Sequence, residues 1–449
     1  MAVWNSVSIA TLLDANRIDG DYFKPHDLEV IRKIADADGG ELGSIADILT
    51  GRTPSDYDED GSLAVVRSGD LVAPLIYPTC GRPFLKAQPA HDRIKLNRGD
   101  VLISSIGMGS IGKISLVIDP TDLITVSEVI LLRNTRIPSE FLFAYLASPT
   151  GQSQIEREVT GATGQQHLLK SKMAHILVPA VPKGIEVPLR DAIWKAYQLQ
   201  EAASLAYTEA EVLLESALGL DKLDLTPRLF YERSYANVQA TARFDAEYFQ
   251  PPKKAVLDAL ANMPGQTLRN QFRSVRQLWQ PHQGGANEQV RNYDLNDALL
   301  PFLDETVEPV TCDTIASTKK KLSPGDLVVS HLRSYLKEIS VVLDVGPVPM
   351  VGSSEFIVLR PQKGAVRVEA LLVFLRSKYV QTILQWCQDG SNHPRFHEDE
   401  ILNLRIPDVL CDLQEEIADK VEASIHARRE ARRLLDEAKA MVEKAILGD

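Results

Sequence analysis

Apolar positions recur through residues 189–218 at alternating steps of four and three: Leu189, Ile193, Ala196, Ala203, Tyr207, Ala210, Leu214 and Ala217, with Gln200 as a polar interruption. This is the a/d spacing of a coiled-coil seam. No Pro or Gly breaks it, so the pattern predicts one helix over Leu189–Leu218, closed by Gly219 in a left-handed C′ position. A second stretch repeats the seam 228 residues later as Ile417, Val421, Ser424, Arg428, Ala431, Leu435, Ala438, Val442 and Ala445, closed by Gly448. Arg428 falls where Gln200 does. Two seams in one register, both rich in small side chains, imply that each helix is the other's partner. Copies related by a pseudo-two-fold present the same seam to each other, so the pairing is expected to be antiparallel. Ile193, Ala203, Tyr207 and Leu214 should then pack in the same seam as Val421, Ala431, Leu435 and Val442.

The pattern changes period ahead of each helix. Val101–Ser104, Ile114–Ile118 and Val129–Leu132 are short β-branched runs bounded by Gly, Asp and Pro, and read as strands. Residues 27–35, 141–147 and 152–159 read as helices. The same series recurs downstream. Arg17-Ile-Asp-Gly-Asp-Tyr22-Phe23 returns as Arg243-Phe-Asp-Ala-Glu-Tyr248-Phe249, 226 positions on. Gly99-Asp-Val-Leu-Ile-Ser104 returns as Gly325-Asp-Leu-Val-Val-Ser330, also 226 on, and Ser127-Glu-Val-Ile-Leu-Leu-Arg133 as Ser354-Glu-Phe-Ile-Val-Leu-Arg360, 227 on. Glu140–Ser148 and Ile176–Pro179 recur as Glu369–Ser377 and Leu404–Pro407. The order never changes, so the chain is an internal duplication. The expected organisation is a first domain over 1–185, a helix over 186–220, a linker and second domain over 221–410, and a final helix over 411–449. The fold class is α+β: two tandem mixed domains with β-rich cores, separated and followed by long helices that form an antiparallel coiled coil.

Composition adds little. The chain has 449 residues, 44% hydrophobic and 24% charged, which is ordinary for a water-soluble globular protein. No apolar run approaches membrane-spanning length. The first residues lack the basic and apolar regions of a signal peptide. Cys80, Cys312, Cys387 and Cys411 are scattered without a C-x-x-C pair, which fits reduced thiols in a cytoplasm rather than disulfides or zinc ligands. A net charge of −12 argues mildly against nucleic acid, although a local basic face matters more than the sum.

Catalytic signatures are missing. Gly107–Lys113 fits G-x-x-x-x-G-K, but Ile114 follows in place of the Ser or Thr a phosphate loop needs, and a strand follows in place of a helix. A turn between strands holding Lys113 outward is the better reading. His393 and His397 are four apart with Pro394 between them, so they do not form a helical metal pair. Glu128 and Glu355, at repeated strand starts, read as carboxylates pairing with nearby basic or backbone groups. What remains are polar loops: Gly51-Arg52-Thr53-Pro54-Ser55, Val66-Arg67-Ser68-Gly69, Thr163-Gly-Gln165-Gln166-His167, Ser330-His-Leu-Arg333-Ser-Tyr335-Leu-Lys337 and Ser391-Asn-His393-Pro-Arg395. Arg, Lys, Gln and Asn are the side chains that contact phosphates and bind base edges in pairs of hydrogen bonds.

Taken in order, Gly51-Arg-Thr-Pro-Ser55, Gly99-Asp-Val-Leu-Ile-Ser104, Gly109-Ser-Ile-Gly-Lys113, Gly161-Ala-Thr-Gly-Gln-Gln-His167 and the Val178-Pro179 exit, on a duplicated frame with two long helices, resemble the specificity subunit of type I restriction-modification systems. The resemblance covers essentially the whole chain. It implies two target-recognition domains, each reading one half of a split double-stranded DNA site, with the paired helices as the ruler between them. It implies partners: two modification (methyltransferase) subunits using S-adenosylmethionine, and restriction subunits hydrolysing ATP with Mg²⁺. No cofactor, metal or catalytic centre is implied in this chain, which agrees with the motif search, and the setting is a prokaryotic cytoplasm. The expected DNA contacts are Arg52, Thr53, Arg67, Ser68, Lys113, Gln165, Gln166, His167, Arg333, Tyr335, Lys337, His393 and Arg395. The second half departs from the pattern: residues 273–285 hold no Gly-Thr-Pro-Ser phrase, and the Gly-x-Ile-Gly-Lys turn is gone. The competing reading is an acidic protein-interaction scaffold that does not itself bind DNA.

Overall fold

The computed structural model describes residues 5–448 except 16, 21, 36–37, 55–56, 58–60, 79–83, 86–94, 108, 162–165 and 282–287. It divides into two compact units, residues 1–200 with 429–449, and residues 201–428.

In the first unit the strands Asp47–Thr50, Val129–Arg133, Val101–Ser104, Ile114–Val117 and Leu75–Ile76 form one sheet in that order. All neighbours are antiparallel except the last pair. Alternation along the strands divides the core in two. Val101, Ile103, Ile114, Leu116, Ile130 and Leu132 point to one face, where they pack with Phe141–Leu146 of the helix Ser139–Ala147. Leu102, Val117, Val129 and Leu131 point to the other, against Leu63–Val66 and Ile124 of a second, three-stranded sheet. Six consecutive buried side chains in Ser139–Ala147 explain why that helix has no polar face.

The second unit repeats this plan. Phe272–Ser274, Phe356–Pro361, Leu327–Ser330 and Ile339–Val341 form the corresponding sheet. The fifth strand is reduced to a single parallel bridge, Phe302 to Val341. Leu327, Val329, Ile357 and Leu359 pack with the helix Val368–Arg376, and Val328, Phe356 and Val358 pack the opposite way with Leu322 and Met350. The second sheet is larger here, with five strands, among them Lys319–Leu322 and Gln289–Tyr293.

The recurring Gly-Asp phrase is a folding device. Gly99 and Gly325 both have φ +83°, the third position of a tight turn whose closing bonds run from Asp100 N to Asn97 O at 3.1 Å and from Asp326 N to Ser323 O at 3.0 Å. Each aspartate then turns inward. Asp100 accepts Arg133 Nε at 3.0 Å and Nη2 at 2.6 Å, and Asp326 accepts Arg360 Nε at 2.6 Å and Nη2 at 2.7 Å.

The central helix runs Glu186–Leu218 and the C-terminal helix Gln414–Leu447. Pro188 lies inside the first turn, where its missing N–H has no intrahelical acceptor to serve. Gly219 and Gly448 are left-handed, at φ +61° and +78°. Each helix contributes to both units. Within the first, Leu189, Ile193 and Ala196 share a core with Ala431, Leu435, Ala438 and Val442. Within the second, Tyr207, Ala210 and Leu214 share a core with Ile417, Val421 and Ile425. There Lys420 Nζ meets Glu209 Oε2 at 2.8 Å and Ser424 Oγ donates to Ala203 O at 2.7 Å, so one segment rises as the other falls, which is antiparallel. Ala203 itself is fully buried. The expected seam fails at its last position in both copies. Ala217 and Ala445 are exposed, and at the first helix end Leu218 is buried in its place. A helix of 3.6 residues per turn drifts about 20° per heptad from a 3.5-residue stripe, and by the fourth heptad the buried face has moved on by one residue.

Candidate nucleic-acid interface

In the first unit several loops converge where the strand Val129–Arg133 begins. Gly51 leaves the sheet edge so closely that a Cβ would lie 2.4 Å from the carbonyl oxygens of Thr125 and Val126, so only glycine fits. That approach lets Arg52 N donate to Thr125 O at 3.2 Å and sets the Thr53 hydroxyl 2.5 Å from Ser127 Oγ, donating to Glu128 Oε2 at 3.0 Å. The backbone oxygen of Glu128 accepts from Ser68 Oγ at 3.0 Å and Ser105 Oγ at 2.8 Å. Ser105 O accepts Leu168 N at 2.9 Å, and Ile106 bridges His167. Thr53, Ser68 and His167, far apart in sequence, are therefore gathered around Glu128. Arg52, Arg67 and Gln166 are exposed on the gathered loops. Lys113 is half-buried where residues 105–113 rejoin the sheet; they link the antiparallel strands Val101–Ser104 and Ile114–Val117, a connection unlike a phosphate loop. Gln165 and Ser55 lie outside the described residues.

The second unit builds the same junction with other side chains. Ser105 N donates to Glu128 O, and His331 N donates to Glu355 O. Leu168 N donates to Ser105 O, and Phe396 N to His331 O. The bridge of Ile106 to His167 becomes one of Leu332 to Arg395. His331 thus stands where Ser105 does, Glu355 where Glu128 does, and Arg395 where His167 does. The Glu355 carboxylate takes Arg395 Nε at 2.8 Å and Nη2 at 2.9 Å, and His331 Nε2 lies 2.6 Å from it. Arg395 first, and His331 with it, hold the Glu355 carboxyl down at about 2. Arg333 Nη2 reaches His393 Nδ1 at 3.1 Å, and Arg333 N donates to Pro394 O at 2.9 Å. Arg333 is left-handed at φ +50°, in the place where the first unit has Gly107. A non-glycine residue there is strained by roughly 1–2 kcal/mol. Tyr335, 61% exposed, tops the same turn. Lys337 ends that turn, and its charge acts on Glu211 of the central helix. Burial raises the Glu211 carboxyl there, and the charges of Lys337 and Arg376 act against that rise. Arg333, His393 and Arg395 are brought together by hydrogen bonds, and among the described residues none of these joins the Lys337 side chain to them. His397 is bonded to neither, lying 3.3 Å from Asp389.

The Glu355 carboxylate pairs with basic groups, as its strand-start position suggests, whereas among the described residues the Glu128 carboxylate takes the Thr53 hydroxyl rather than a basic or backbone group. What the sequence reading missed is His331 and Ser105 as the bracing partners. The 226-residue offset that aligns them was the available signal. Among the described residues no cluster of His, Cys, Asp and Glu is placed to hold a metal, no helix is long and apolar enough to cross a membrane, and Cys312, Cys387 and Cys411 are free thiols.

The architecture defines a class: a duplicated mixed α/β chain whose units are each completed by segments of two long antiparallel helices. Among solved structures it is similar to the type I restriction-modification S subunit from M. genitalium, with 13% identity over 91% of this chain and 95% of that one and a TM-score of 0.43. It is also similar to the HsdS subunit from Thermoanaerobacter tengcongensis, with 16% identity over 92% and 96% and a TM-score of 0.30. A third similar chain comes from a structural study of complex assembly and conformational transition of the type I R-M system, with 17% identity over 91% and 97% and a TM-score of 0.29. No family model and no curated protein matches the chain.

Proposed function

We propose that this chain is the DNA-recognition subunit of a type I restriction-modification complex. Each unit reads one half of a bipartite site in double-stranded DNA, and the paired helices set the spacing and dock two modification subunits, with restriction subunits joining the assembly. The chain carries out no chemistry of its own. In this reading S-adenosylmethionine, ATP and Mg²⁺ belong to the partners, and the complex works in a prokaryotic cytoplasm. The observation that carries the reading is the loop junction built twice on one backbone frame, with Arg52, Thr53, Arg67, Ser68 and His167 in one copy and Arg333, His393 and Arg395 in the other. A scaffold with one partner type has no use for two junctions of different side-chain chemistry on a common frame, whereas a reader of two different half-sites requires them.

Methylome sequencing of a host carrying the locus tests this. A single bipartite methylated motif is expected, lost when this chain is deleted. The purified chain alone should neither methylate nor cleave DNA. Methyl transfer by the isolated chain, or an unchanged motif after its deletion, sinks the proposal.

A further inference from the structure

We propose that Arg395 reads a guanine in the half-site of the second unit and that Glu355 is the positioning residue that aims it; this rests on the DNA-recognition reading above. A guanidinium has five N–H donors. Two of those on Arg395, on Nε and Nη2, go to the two Glu355 oxygens, and one on Nη1 goes to His393 O at 3.0 Å. One N–H on each terminal nitrogen remains. With the Cδ-side hydrogen of Nη1 on His393 O, these two face forward together as the two-donor fork that guanine satisfies in the major groove with O6 and N7. Adenine offers an acceptor beside a donor, cytosine a donor and thymine a single acceptor, so the other three bases leave a donor unpaired or opposed.

The bracing separates this from a phosphate contact. A side chain that meets a phosphate needs charge and reach but no fixed plane. Here the plane is fixed from behind. Glu355 grips one edge of the guanidinium, and His331 grips Glu355 at 2.6 Å. The imidazole is in turn set edge-on to Phe396, with ring centres 6.4 Å apart and planes at 79°. The Arg395 side chain is still 43% exposed, so the outward edge is open to a ligand. An arginine carries about 2 kcal/mol of rotamer entropy, and holding it in place beforehand leaves less to lose on binding.

The first unit supplies an internal comparison. It keeps the carboxylate and the backbone bonds of the junction but puts His167 in place of Arg395 and Ser105 in place of His331. A constant frame with varied outward groups is what two readers of different bases need.

The test is methylome sequencing of a host carrying the complete locus, with the wild-type chain and with Arg395→Ala, Arg395→Lys and Glu355→Gln. The wild-type motif should contain a fixed G·C pair that both Arg395 variants relax, with discrimination falling by roughly 10- to 100-fold, the size of one bidentate base contact. Arg395→Lys keeps the charge and loses the fork, so it should relax the same pair. Glu355→Gln should relax that pair alone, and less. The other half-site, read by the first unit in the same molecule, should be unchanged, which reports folding and assembly. The inference is overturned if the relaxed pair is A·T, if both half-sites change, or if methylation falls at all sites without any shift in base preference, as a phosphate contact or a purely structural role would give. A wild-type chain that directs no motif at all overturns the proposed function, and the inference with it.

Discussion

Glu338 shows how a single buried group behind the second junction can be followed by pH. It is 4% exposed, and its Oε2 has no hydrogen-bond partner among the described residues. Burial raises its carboxyl above the ordinary 4.5, and Ser330 and Arg333 only partly offset that rise. The sign follows from linkage. Below about pH 4.5 the carboxyl is protonated in folded and unfolded chains alike, and no penalty exists. As pH rises the unfolded chain ionises first, so the folded state is progressively disfavoured. Glu338→Gln keeps the shape and removes the charge. It should leave stability nearly unchanged at pH 4 and increase it as pH approaches 7. Urea unfolding midpoints at a series of pH values check this, and a stabilisation independent of pH would refute it. The strained Arg333 in front of Glu338 fits the same picture: this junction holds unfavourable local features where a ligand-facing loop is expected.

At the level of elements, the Gly-Asp turn is the clearest point of leverage. Asp326 is fully buried and takes a backbone N–H from Ser323 at 2.8 Å beside the two bonds from Arg360, so it joins the turn to the neighbouring strand. Removing one partner of a buried pair strands the other. Asp326→Asn should cost about 3 kcal/mol, the low end for such pairs, because Arg360 is still 27% exposed. Asp100→Asn should cost at least as much, since Arg133 is only 16% exposed. Chemical unfolding of the two variants gives the comparison, and losses under 1 kcal/mol in both would deny the turn this role. The recurrence of this phrase made the duplicated sheet legible in the sequence, because strands buried on both faces must be apolar throughout, as Val101–Ile103 and Leu327–Val329 are. The second sheet was not legible. Lys319-Lys-Lys-Leu322 is too polar to stand out as a strand, and it forms because Gln277 O and the strand Met350–Gly352 supply its hydrogen bonds. The junctions were half legible. Arg and Thr in loops point outward by type, but that Arg395 is tied to Glu355, 40 positions earlier, depends on tertiary pairing no local pattern records.

For the whole molecule the governing feature is that each long helix is shared between units, with the divisions between Gln200 and Glu201 and between Arg428 and Arg429. Gln200 and Arg428 are matched polar positions of the seam, so a polar interruption sits at each division. An insertion in one helix alone would slide its seam against the partner and bury the wrong side chains. Matched insertions of four residues after Gln200 and after Arg428 keep the register within each unit. Each helix lengthens by about 6 Å at 1.5 Å per residue. If the helices set the spacing between half-sites, the non-specific spacer should grow by one or two base pairs, given about 3.4 Å per pair. Both half-site sequences should stay as they were, since no junction residue is touched. Methylome sequencing of the double-insertion strain reads spacer and half-sites at once. The original spacer retained at wild-type efficiency would show that the helices are not the ruler. A lengthened spacer with altered half-sites would show that the insertion disturbed the units themselves.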